Sequence, residues 1–518
     1  MDRETELKLT VLPEHLDQLR RHPILRASVR KGASTKRLVS TYYDTPAFAL
    51  MRQAVALRVR KDGAARVQTV KHASPGEKGR ITRFEWEKRI SGDRPDISAL
   101  DDPKLRRLIR SHESKAKLKP VFVTDVRRQV WPLRVGSSKI ECALDVGEIK
   151  ANGRRKPLCE VELELKSGAP GKLFELARRL NQSVPLRLEP VSKAARGYHL
   201  ALGVSPAPEK AKPVHLTPEM TVHEAFVVTA RSCIEHIVAN VDSAHDGKDP
   251  EGIHQLRVGI RRLRAALSIF KAAVPAGGRN ALGGELRWLQ QELGPAREWD
   301  VFINETLSRV VRHCGGADFS PLVGAAEAKR AEAYARARSV LGDRRYTDLL
   351  LRLEAWLESG LREGDTEGNP RESRHEDVGV APAPGFASEI LRMRQAKVQK
   401  HGRKIRSLGD EGIHDLRIRV KKLRYATEFF RGLYGEKPTK RYLARLKDLQ
   451  DILGNVHDVF VAQALVPQLA GMVGEGVPLA LGQVQGWCAA RRQGDLGRLV
   501  SAWKAFSSLK PFWKDHAP

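Results

Sequence analysis

The sequence predicts a multidomain protein in which an α+β region, built on an antiparallel sheet or barrel, is followed by an all-α region of two similar helical bundles. Before about residue 205, seven or eight short runs alternate polar and apolar residues with period two, as strands do. Farther on, apolar residues such as Ile253, Leu256, Ile260 and Leu263 recur at helical spacing. The helical part also repeats itself, which predicts the two bundles.

The charge balance of the 518 residues limits the class of partner. Lys and Arg number 91 against 62 Asp and Glu, a formal net charge of +29, so we expect a polyanionic partner. No run is apolar enough for a membrane-spanning helix, and the charged N-terminus lacks the apolar stretch of a signal peptide, which predicts a cytoplasmic protein. The five cysteines form no CxxC pair, which argues against a disulfide framework or a zinc site.

Domain boundaries are indicated by changes in composition. The segment 205–213 is rich in Pro, Ala and charge, as an extended linker is. The segment 364–385 is rich in Gly, Pro, Glu and Arg, which predicts a mobile connection between the bundles. We therefore expect these divisions of the chain: an N-terminal domain at 1–204, a linker at 205–217, and a helical domain at 218–512 with bundles at about 218–363 and 386–512.

Charged residues in the first domain alternate along several predicted strands, so that they share one face. An isolated strand of this kind is usually a solvated face, but here the pattern recurs in strand after strand. A sheet with its apolar face covered by helices and its charged face curled inward would produce it, which predicts a barrel with a charged lumen. The residues on this face are Glu4, Glu6, Lys8, Arg58, Arg60, Arg83, Glu85, Glu87, Glu141, Asp145, Glu160, Glu162 and Glu164.

The mixture of charges in such a lumen suggests its chemistry. Crowded carboxylates repel one another unless a cation lies between them, and Mg²⁺ or Mn²⁺ prefers oxygen ligands. Arginine and lysine side chains bind phosphate oxygens. Together they predict metal-dependent phosphoryl transfer or hydrolysis, and the absence of a GxxxxGK[ST] loop excludes a P-loop enzyme.

An ordered set of motifs in this domain resembles CYTH domains, which are triphosphate tunnel metalloenzymes. The set runs from Glu4-x-Glu6-x-Lys8 through Arg58-Val59-Arg60 and Arg83-x-Glu85-x-Glu87 to Glu160-x-Glu162-x-Glu164 and Lys193-Ala194-x-Arg196. The resemblance implies an eight-stranded antiparallel tunnel that binds a triphosphate end-on and hydrolyses it with a divalent metal, Mg²⁺ or Mn²⁺.

Charge then divides the matched residues into roles. The expected metal ligands are Glu4, Glu6, Asp145, Glu160, Glu162 and Glu164. The expected phosphate-binding residues are Lys8, Arg58, Arg60, Lys71, Arg83, Arg128, Lys193 and Arg196. The expected catalytic residues, which would bind a second metal, orient the attacking water or, for Lys8, contact the reacting phosphate, are Lys8, Glu85, Glu87 and Glu141. Of the adjacent Arg127 and Arg128, we expect Arg128 to point inward.

Each helical bundle carries a stripe of positive charge. His254, Arg257, Arg261 and Arg264 lie at i, i+3, i+7 and i+10, on one side of a helix. A solvated face normally mixes both signs, whereas this one does not and recurs in the second bundle, so we expect an anion across it. The full set of expected anion-binding residues is His254, Arg257, Arg261, Arg262, Arg264, His414, Arg417, Lys421, Lys422 and Arg424.

This repeated motif resembles the CHAD domain, over about residues 215–512. The resemblance implies an all-α fold that binds inorganic polyphosphate along a basic surface. Further candidate contacts are Arg297, Tyr425, Lys447 and Asn455, whereas Asp300 and Asp458 are expected to orient neighbouring basic residues.

The leading hypothesis is therefore an inorganic triphosphatase that converts tripolyphosphate to diphosphate and phosphate. Its helical domain would bind polyphosphate and could associate the enzyme with polyphosphate granules in the cytoplasm. One alternative is a non-catalytic polyphosphate-binding protein. Another is a tunnel enzyme for thiamine triphosphate or ATP, including an adenylate cyclase. Nucleic acid is disfavoured because the stripes contain almost no aromatic residues for base stacking. No membrane partner is expected, and the sequence does not identify protein partners.

Overall fold

The computed structural model describes residues 5–29, 34–75, 81–114, 116–361, 377–472 and 478–513. The chain divides into two compact units, each discontinuous in sequence. Unit 1 contains residues 1–206 and 342–360, and unit 2 contains residues 207–341 and 361–518. Glu4 and much of the expected connection at 364–385 lie outside the described residues. None of the described helices is long and apolar enough to cross a bilayer.

Unit 1 is built on one antiparallel sheet in the order β5-β4-β3-β2-β6-β7-β8-β1-β9. The eight expected strands are present, and the three-residue β9 adds a ninth beside β1, so the predicted count of eight was one too low. No ladder joins the edge strands β5 and β9 within the described ranges. The strands are β1 (Thr5–Val11), β2 (Ser34–Asp44), β3 (Val55–Asp62), β4 (Ala65–Pro75), β5 (Ile81–Ile90), β6 (Lys119–Val135), β7 (Ser138–Ala151), β8 (Arg154–Ser167) and β9 (Leu186–Leu188).

The two faces of the sheet differ in polarity, as the alternation predicts. On one face, apolar residues including Leu9, Trp131 and Leu163 pack against the buried side of a helix at Gly171–Ser183. Cys142 is buried in this cluster and Cys159 packs against it. The opposite face carries the charged residues. The helices of the unit are α1 (Leu16–Arg20), α2 (Pro23–Val29), α3 (Ala49–Arg52), α4 (Pro103–Glu113), α5 (Gly171–Ser183) and α6 (Lys193–Leu202).

A helix from much later in the chain completes unit 1. Residues Arg344–Glu358, which the sequence prediction placed at the end of the first bundle, pack against α5. Leu351 is fully buried in the same apolar cluster as the sheet. The hydroxyl of Thr347 donates to the carbonyl of Leu186 at 2.6 Å, and Arg178 lies 2.8 Å from Asp348. Sequence periodicity identifies this helix but not its distant partner.

Unit 2 consists of helices. Thr221 and Glu224 form a reciprocal capping box at the start of the first long helix. The helices of the first repeat are α7 (Val222–Ala239), α8 (Val241–Asp246), α9 (Pro250–Ile269), α10 (Ala276–Glu292), α11 (Gly294–Val301), α12 (Ser308–His313) and α13 (Ser320–Gly342). The next helix along the chain, α14 (Arg344–Glu358), is the helix of unit 1 described above. Those of the second repeat are α15 (Ala383–Gly402), α16 (Asp410–Phe430), α17 (Glu436–Ala470) and α18 (Pro478–Ser507).

The two repeats differ where the sequence of the first is longer. In the second repeat, α17 runs without interruption through Leu453 and Asp458. In the first, the chain breaks between α10 and α11, and a π-helical segment follows at Phe302–Leu307. Asp300 follows Gly294 by six residues and Asp458 follows Gly454 by four, so the two extra residues of the first repeat precede Asp300 and the π-helical segment lies after them.

Candidate active site and anion-binding surface

Lys193 joins three carboxylates on the charged face of the sheet. The Ser192 hydroxyl caps α6 and leaves Lys193 as its first helical residue. Its Nζ lies 2.8 Å from Asp145, 2.5 Å from Glu160 and 2.7 Å from Glu162. The prediction assigned Lys193 to phosphate and the three acids to a metal. In this structure these four groups contact one another, and their assignment to phosphate and metal stays a prediction.

Arg128 binds the same carboxylates from β6. Its Nε and Nη2 donate to the two oxygens of Asp145, each at 2.7 Å, and Nη2 also contacts Glu162. This fork geometry matches a carboxylate with two parallel hydrogen bonds. Arg127 is exposed on the opposite face, as strand alternation requires.

These cations control the ionisation of the acids. Burial alone would raise the pKa of Glu162, but Lys193 and Arg128 outweigh it and hold that pKa well below its ordinary value. The pKa of Asp145 is lowered for the same reason. For Glu160, burial dominates over Lys193 and Arg196, and its pKa is raised. Arg196 also contacts Glu189 at 3.3 Å, so its guanidinium already has two carboxylate partners, Glu160 and Glu189.

Arg58 and Arg60 form a cationic wall on β3. Burial lowers the pKa of Arg60 to about 10, with repulsion from Arg58 and Arg128 contributing. Its Nε donates to the Ser40 hydroxyl at 3.4 Å. Within the described residues, Arg60 has no carboxylate at ion-pair distance, although the neighbouring Arg58 lies 3.7 Å from Glu85.

Tyr42 and Ser40 are residues of this wall that the prediction missed. Tyr42 lies opposite Arg58 and Ser40 opposite Arg60 in the β2–β3 register. Burial would raise the pKa of the Tyr42 hydroxyl, but Arg58, which hydrogen bonds to it, and Arg60 outweigh burial and lower it. Their strand position, alternating with Tyr43 and Thr41, is the signal that could have identified them.

A row of glutamates crosses three adjacent strands. Glu164 of β8 lies opposite Glu6 of β1 on one side and opposite Glu141 of β7 on the other. Like charges directly opposite destabilise a sheet. Lys8 lies 2.7 Å from Glu6, and Lys166 lies 2.6 Å from Glu164, which reduces this repulsion.

The donor set fits a hard divalent cation in its chemistry. Among the described residues, no three His, Cys, Asp or Glu side chains converge into a ready-made metal cage, and Glu4 lies outside them. Mg²⁺, however, is usually held by one or two carboxylates together with substrate phosphates and water. Carboxylate oxygens suit such a cation, but both oxygens of Glu160 and both of Glu162 already contact Lys193, Arg196 or Arg128.

The remaining predicted residues of unit 1 lie on β4 and β5. Lys71 is 2.7 Å from Glu85. Glu87 accepts a hydrogen bond from Thr69 at 3.3 Å. Arg83 pairs with Ala73 in the strand register, and its side chain is not described.

Unit 2 gathers a first cationic cluster from four helices, defined as His254, Arg257, Arg261, Arg297, Arg417, Lys421 and His457. Burial lowers the pKa of His254 to about 3, with repulsion from Arg297, Arg261, Arg257 and Lys421 added to it. Burial lowers the pKa of Lys421 to about 6, again with nearby arginines contributing. The two predicted stripes thus lie within electrostatic reach of each other.

The first cationic cluster lacks partners for several donors. The Nε atoms of Arg257, Arg261 and Arg417 are buried and donate to no hydrogen-bond acceptor in the described structure. Burial also raises the pKa of Asp458, although Arg417, Arg297 and Lys421 oppose it. Asp300 instead binds Arg330 and Tyr334, each at 2.8 Å.

Some predicted contacts lie elsewhere. Arg262 is buried with its guanidinium 5.3 Å from the Phe429 ring centre, because it lies about 100° around the helix from Arg261. The prediction that Arg262 faces the anion is therefore not supported. Arg264 donates to the Gln290 side chain at 2.7 Å, and Arg424 lies 2.8 Å from Glu428.

His457 was missed by the prediction. Its ring centre lies 5.4 Å from that of His414. Burial lowers its pKa to about 3, with Arg417, Lys421 and His414 contributing. Its position directly before Asp458 was the available signal.

Two family models match successive parts of the chain. The model of the CYTH domain matches residues 2–198, and the model of the CHAD domain matches residues 229–467. The chain combines a CYTH domain with a CHAD domain. The charged sheet face belongs to the CYTH domain, and the first cationic cluster belongs to the CHAD domain.

Individual proteins resemble each domain separately. An inorganic triphosphatase of Haemophilus influenzae is 31% identical over 201 residues, which are 39% of this chain and 55% of that protein. The chain therefore spans about half the length of this curated relative. The CHAD domain of the plant Ricinus communis is 31% identical, covering 58% of this chain and 97% of that one, with a TM-score of 0.49. A putative adenylyl cyclase from Hippeastrum, described as having a dominant triphosphatase activity, is 19% identical over 38% of this chain and 95% of its own, with a TM-score of 0.28.

Proposed function

We propose that the CYTH domain hydrolyses inorganic tripolyphosphate with a divalent cation, and that the CHAD domain binds inorganic polyphosphate. The proposed hydrolysis of tripolyphosphate rests on the environment of Arg60. It is a partly buried guanidinium beside Arg58 and Arg128, and no described carboxylate lies at ion-pair distance from it. A phosphate group would supply the missing negative charge through two parallel hydrogen bonds.

The charged face has a cationic region, which suits the triphosphate, and a carboxylate region, which suits the metal ion. Arg58, Arg60 and Lys71 would bind the oxygens of the triphosphate. Glu6, Glu160 and Glu162 would hold Mg²⁺ or Mn²⁺, which would act as a Lewis acid that offsets the charge of the phosphoryl oxygens. The relative that is named an inorganic triphosphatase supports this choice of substrate.

Other residues would position these groups. Lys193 and Arg128 fix the carboxylates of Asp145 and Glu162 in defined orientations. Glu141 lies at the end of the glutamate row and would accept a hydrogen bond from the attacking water. No side-chain nucleophile is required, because water attacks the terminal phosphorus and diphosphate leaves.

The experiment is phosphate release from tripolyphosphate, ATP, thiamine triphosphate and long-chain polyphosphate, with Mg²⁺, with Mn²⁺ and with EDTA. We expect tripolyphosphate to be the fastest substrate, and activity to be lost in Glu6→Gln/Glu162→Gln. The control is Glu14→Gln/Glu148→Gln, which removes the same charge away from the charged face. A different preferred substrate would reassign the enzyme, and no release from any substrate would overturn the catalytic proposal.

The polyphosphate half rests on the unpartnered guanidinium nitrogens of the first cationic cluster. An anion would satisfy these donors and offset the repulsion between them. We expect the full chain to bind long-chain polyphosphate, and Arg257→Gln/Arg417→Gln to bind it more weakly. Single-stranded DNA at the same salt concentration should compete poorly, and effective competition would favour nucleic acid as the ligand.

A further inference from the structure

A second group of cations lies on a different side of α16 from the first cationic cluster. Arg417 and Lys421, four residues apart, share one face of this helix, whereas Arg419 and Lys422, three apart, lie on another. The neighbouring α15 packs against α16 and carries Arg394 and Lys397 at the same three-residue spacing. We call Arg394, Lys397, Arg419 and Lys422 the second cationic cluster.

Cations of the second cationic cluster lie close enough to repel one another. Burial lowers the pKa of Lys422, and repulsion from Arg394, Arg419, Lys397 and Arg264 lowers it further. The pKa of Arg394 falls to about 10 through burial alone. Arg394 and Arg419 are half-buried, whereas Lys397 and Lys422 are exposed at the surface.

Few protein groups offset this charge. Asp415 lies 3.6 Å from Arg419, at the outer limit of an ion pair. Within the described ranges, Arg394 has no carboxylate at ion-pair distance, and the Nε atoms of Arg394 and Arg419 are buried without a hydrogen-bonding partner. Orphaned buried donors of this kind cost free energy unless a ligand satisfies them.

The first repeat lacks the arginine and lysine that α15 contributes to this cluster. Helix α7 begins at Val222 and α15 at Ala383, so the two helices align with an offset of 161 residues. Arg394 and Lys397 then correspond to Cys233 and His236 of α7. The buried Ile234 and Ile237 of α7 correspond to Gln395 and Val398, which are buried in α15.

Arg264 connects the two clusters. It continues the stripe of Arg257 and Arg261 along α9, and it is also close enough to Lys422 to lower that residue's pKa. Helices α9 and α16, which carry Arg264 and Lys422, pack against each other.

We infer that Arg394, Lys397, Arg419 and Lys422 form a second site for phosphate oxygens, so that one long polyphosphate chain occupies both clusters while a short chain occupies one. This inference rests on the proposed polyphosphate binding. Nucleic acid has the same backbone chemistry, but polyphosphate is favoured because it needs no base stacking and has a higher density of charge.

The test compares Arg394→Gln/Arg419→Gln with Lys437→Gln/Lys440→Gln in the full chain. The control removes the same charge from two exposed lysines of α17. We expect the first variant to bind long-chain polyphosphate on the order of tenfold to a hundredfold more weakly. The slope of log affinity against log salt concentration should also decrease by about one for each phosphate contact removed. Melting curves of both variants check that each remains folded.

The possible outcomes distinguish a failure of the second site from a failure of the proposed polyphosphate binding. If Arg394→Gln/Arg419→Gln binds as tightly as the control while Arg257→Gln/Arg417→Gln is weakened, the second site is wrong and the proposed polyphosphate binding stands. If the unmodified chain does not bind polyphosphate, the proposed binding itself fails. If single-stranded DNA binds the unmodified chain more tightly than polyphosphate and depends on Arg394, the assigned ligand is wrong.

Discussion

The ammonium group of Lys193 lies 2.7 Å from a carboxylate oxygen of Glu162, and this contact joins α6 to the middle of β8. Asp145 and Glu160 lie around the same ammonium group. Lys193 thus links α6 to Glu160 and Glu162, two of the residues that we propose hold a metal.

Replacing Lys193 with Met should destabilise unit 1 and abolish hydrolysis. Removing one partner of a buried ion pair costs about 3–5 kcal/mol, because the other charges remain uncompensated. The measurement is calorimetric melting together with phosphate release. Lys193→Arg, which keeps the charge, should recover much of the stability.

The same variant should change the pH dependence of stability. In the native protein the pKa values of Asp145 and Glu162 are lowered, so their stabilising contribution is present above the ordinary carboxyl pKa of about 4 and is lost as the pH falls. The difference in melting temperature between the native protein and Lys193→Met should therefore be largest near neutral pH and shrink below about pH 4. A difference independent of pH would contradict this electrostatic role.

Tyr42→Phe should weaken the cationic wall. The lost hydroxyl hydrogen bonds to Arg58, so we expect kcat/KM for tripolyphosphate to fall about tenfold, the equivalent of about 1.4 kcal/mol. Tyr43→Phe is the matched control, because its hydroxyl donates instead to the carbonyl of Asp93. Equal effects of the two substitutions would indicate a general packing defect.

Polyphosphate binding should be accompanied by proton uptake. In the free protein the pKa of Lys421 is about 6 and that of His254 about 3. A bound anion raises both, so affinity is greatest below the free pKa and falls as the pH rises above about 6. Titration calorimetry in buffers of different ionisation enthalpy measures this uptake. Lys421→Gln should reduce it, and uptake that is unchanged in that variant would contradict the assignment.

Helix α14 should stabilise the CYTH domain, although the sequence places it between helices of the CHAD domain. Leu351→Ala should cost about 2–5 kcal/mol as a buried truncation and lower the temperature at which hydrolysis is lost. Leu322→Ala of α13 is an equal truncation of a buried residue in unit 2. It should instead lower the temperature at which polyphosphate binding is lost.

Local periodicity predicts the parts of this structure that depend on neighbouring residues. Alignment to the family motif selects Arg128 over Arg127 as the inward residue, strand alternation places the two on opposite faces, and the motifs identify both domains. Helical spacing also predicts that His254, Arg257 and Arg261 share a face. These relationships follow from backbone geometry, which is the same in every strand and helix.

Long-range packing explains what the sequence could not predict. Nothing in residues 344–358 indicates that Leu351 joins the core of the sheet, because that choice depends on the complementary surface of α5. Arg262 resembles its neighbour Arg261 in sequence but packs on Phe429. Lys193 and Glu162 have the charges expected of a phosphate ligand and a metal ligand, and only the structure shows that they pair with each other.

The most direct test of the account compares two adjacent arginines in tripolyphosphate hydrolysis. Arg128 contacts Asp145 and Glu162, whereas Arg127 is exposed on the opposite face. We expect rapid release of phosphate by the native protein with Mg²⁺ or Mn²⁺ and none with EDTA. Arg127→Gln should retain this rate, and Arg128→Gln should lose a factor on the order of 10² to 10³. The account would be contradicted if the native protein released no phosphate with either cation, or if both substitutions reduced the rate equally.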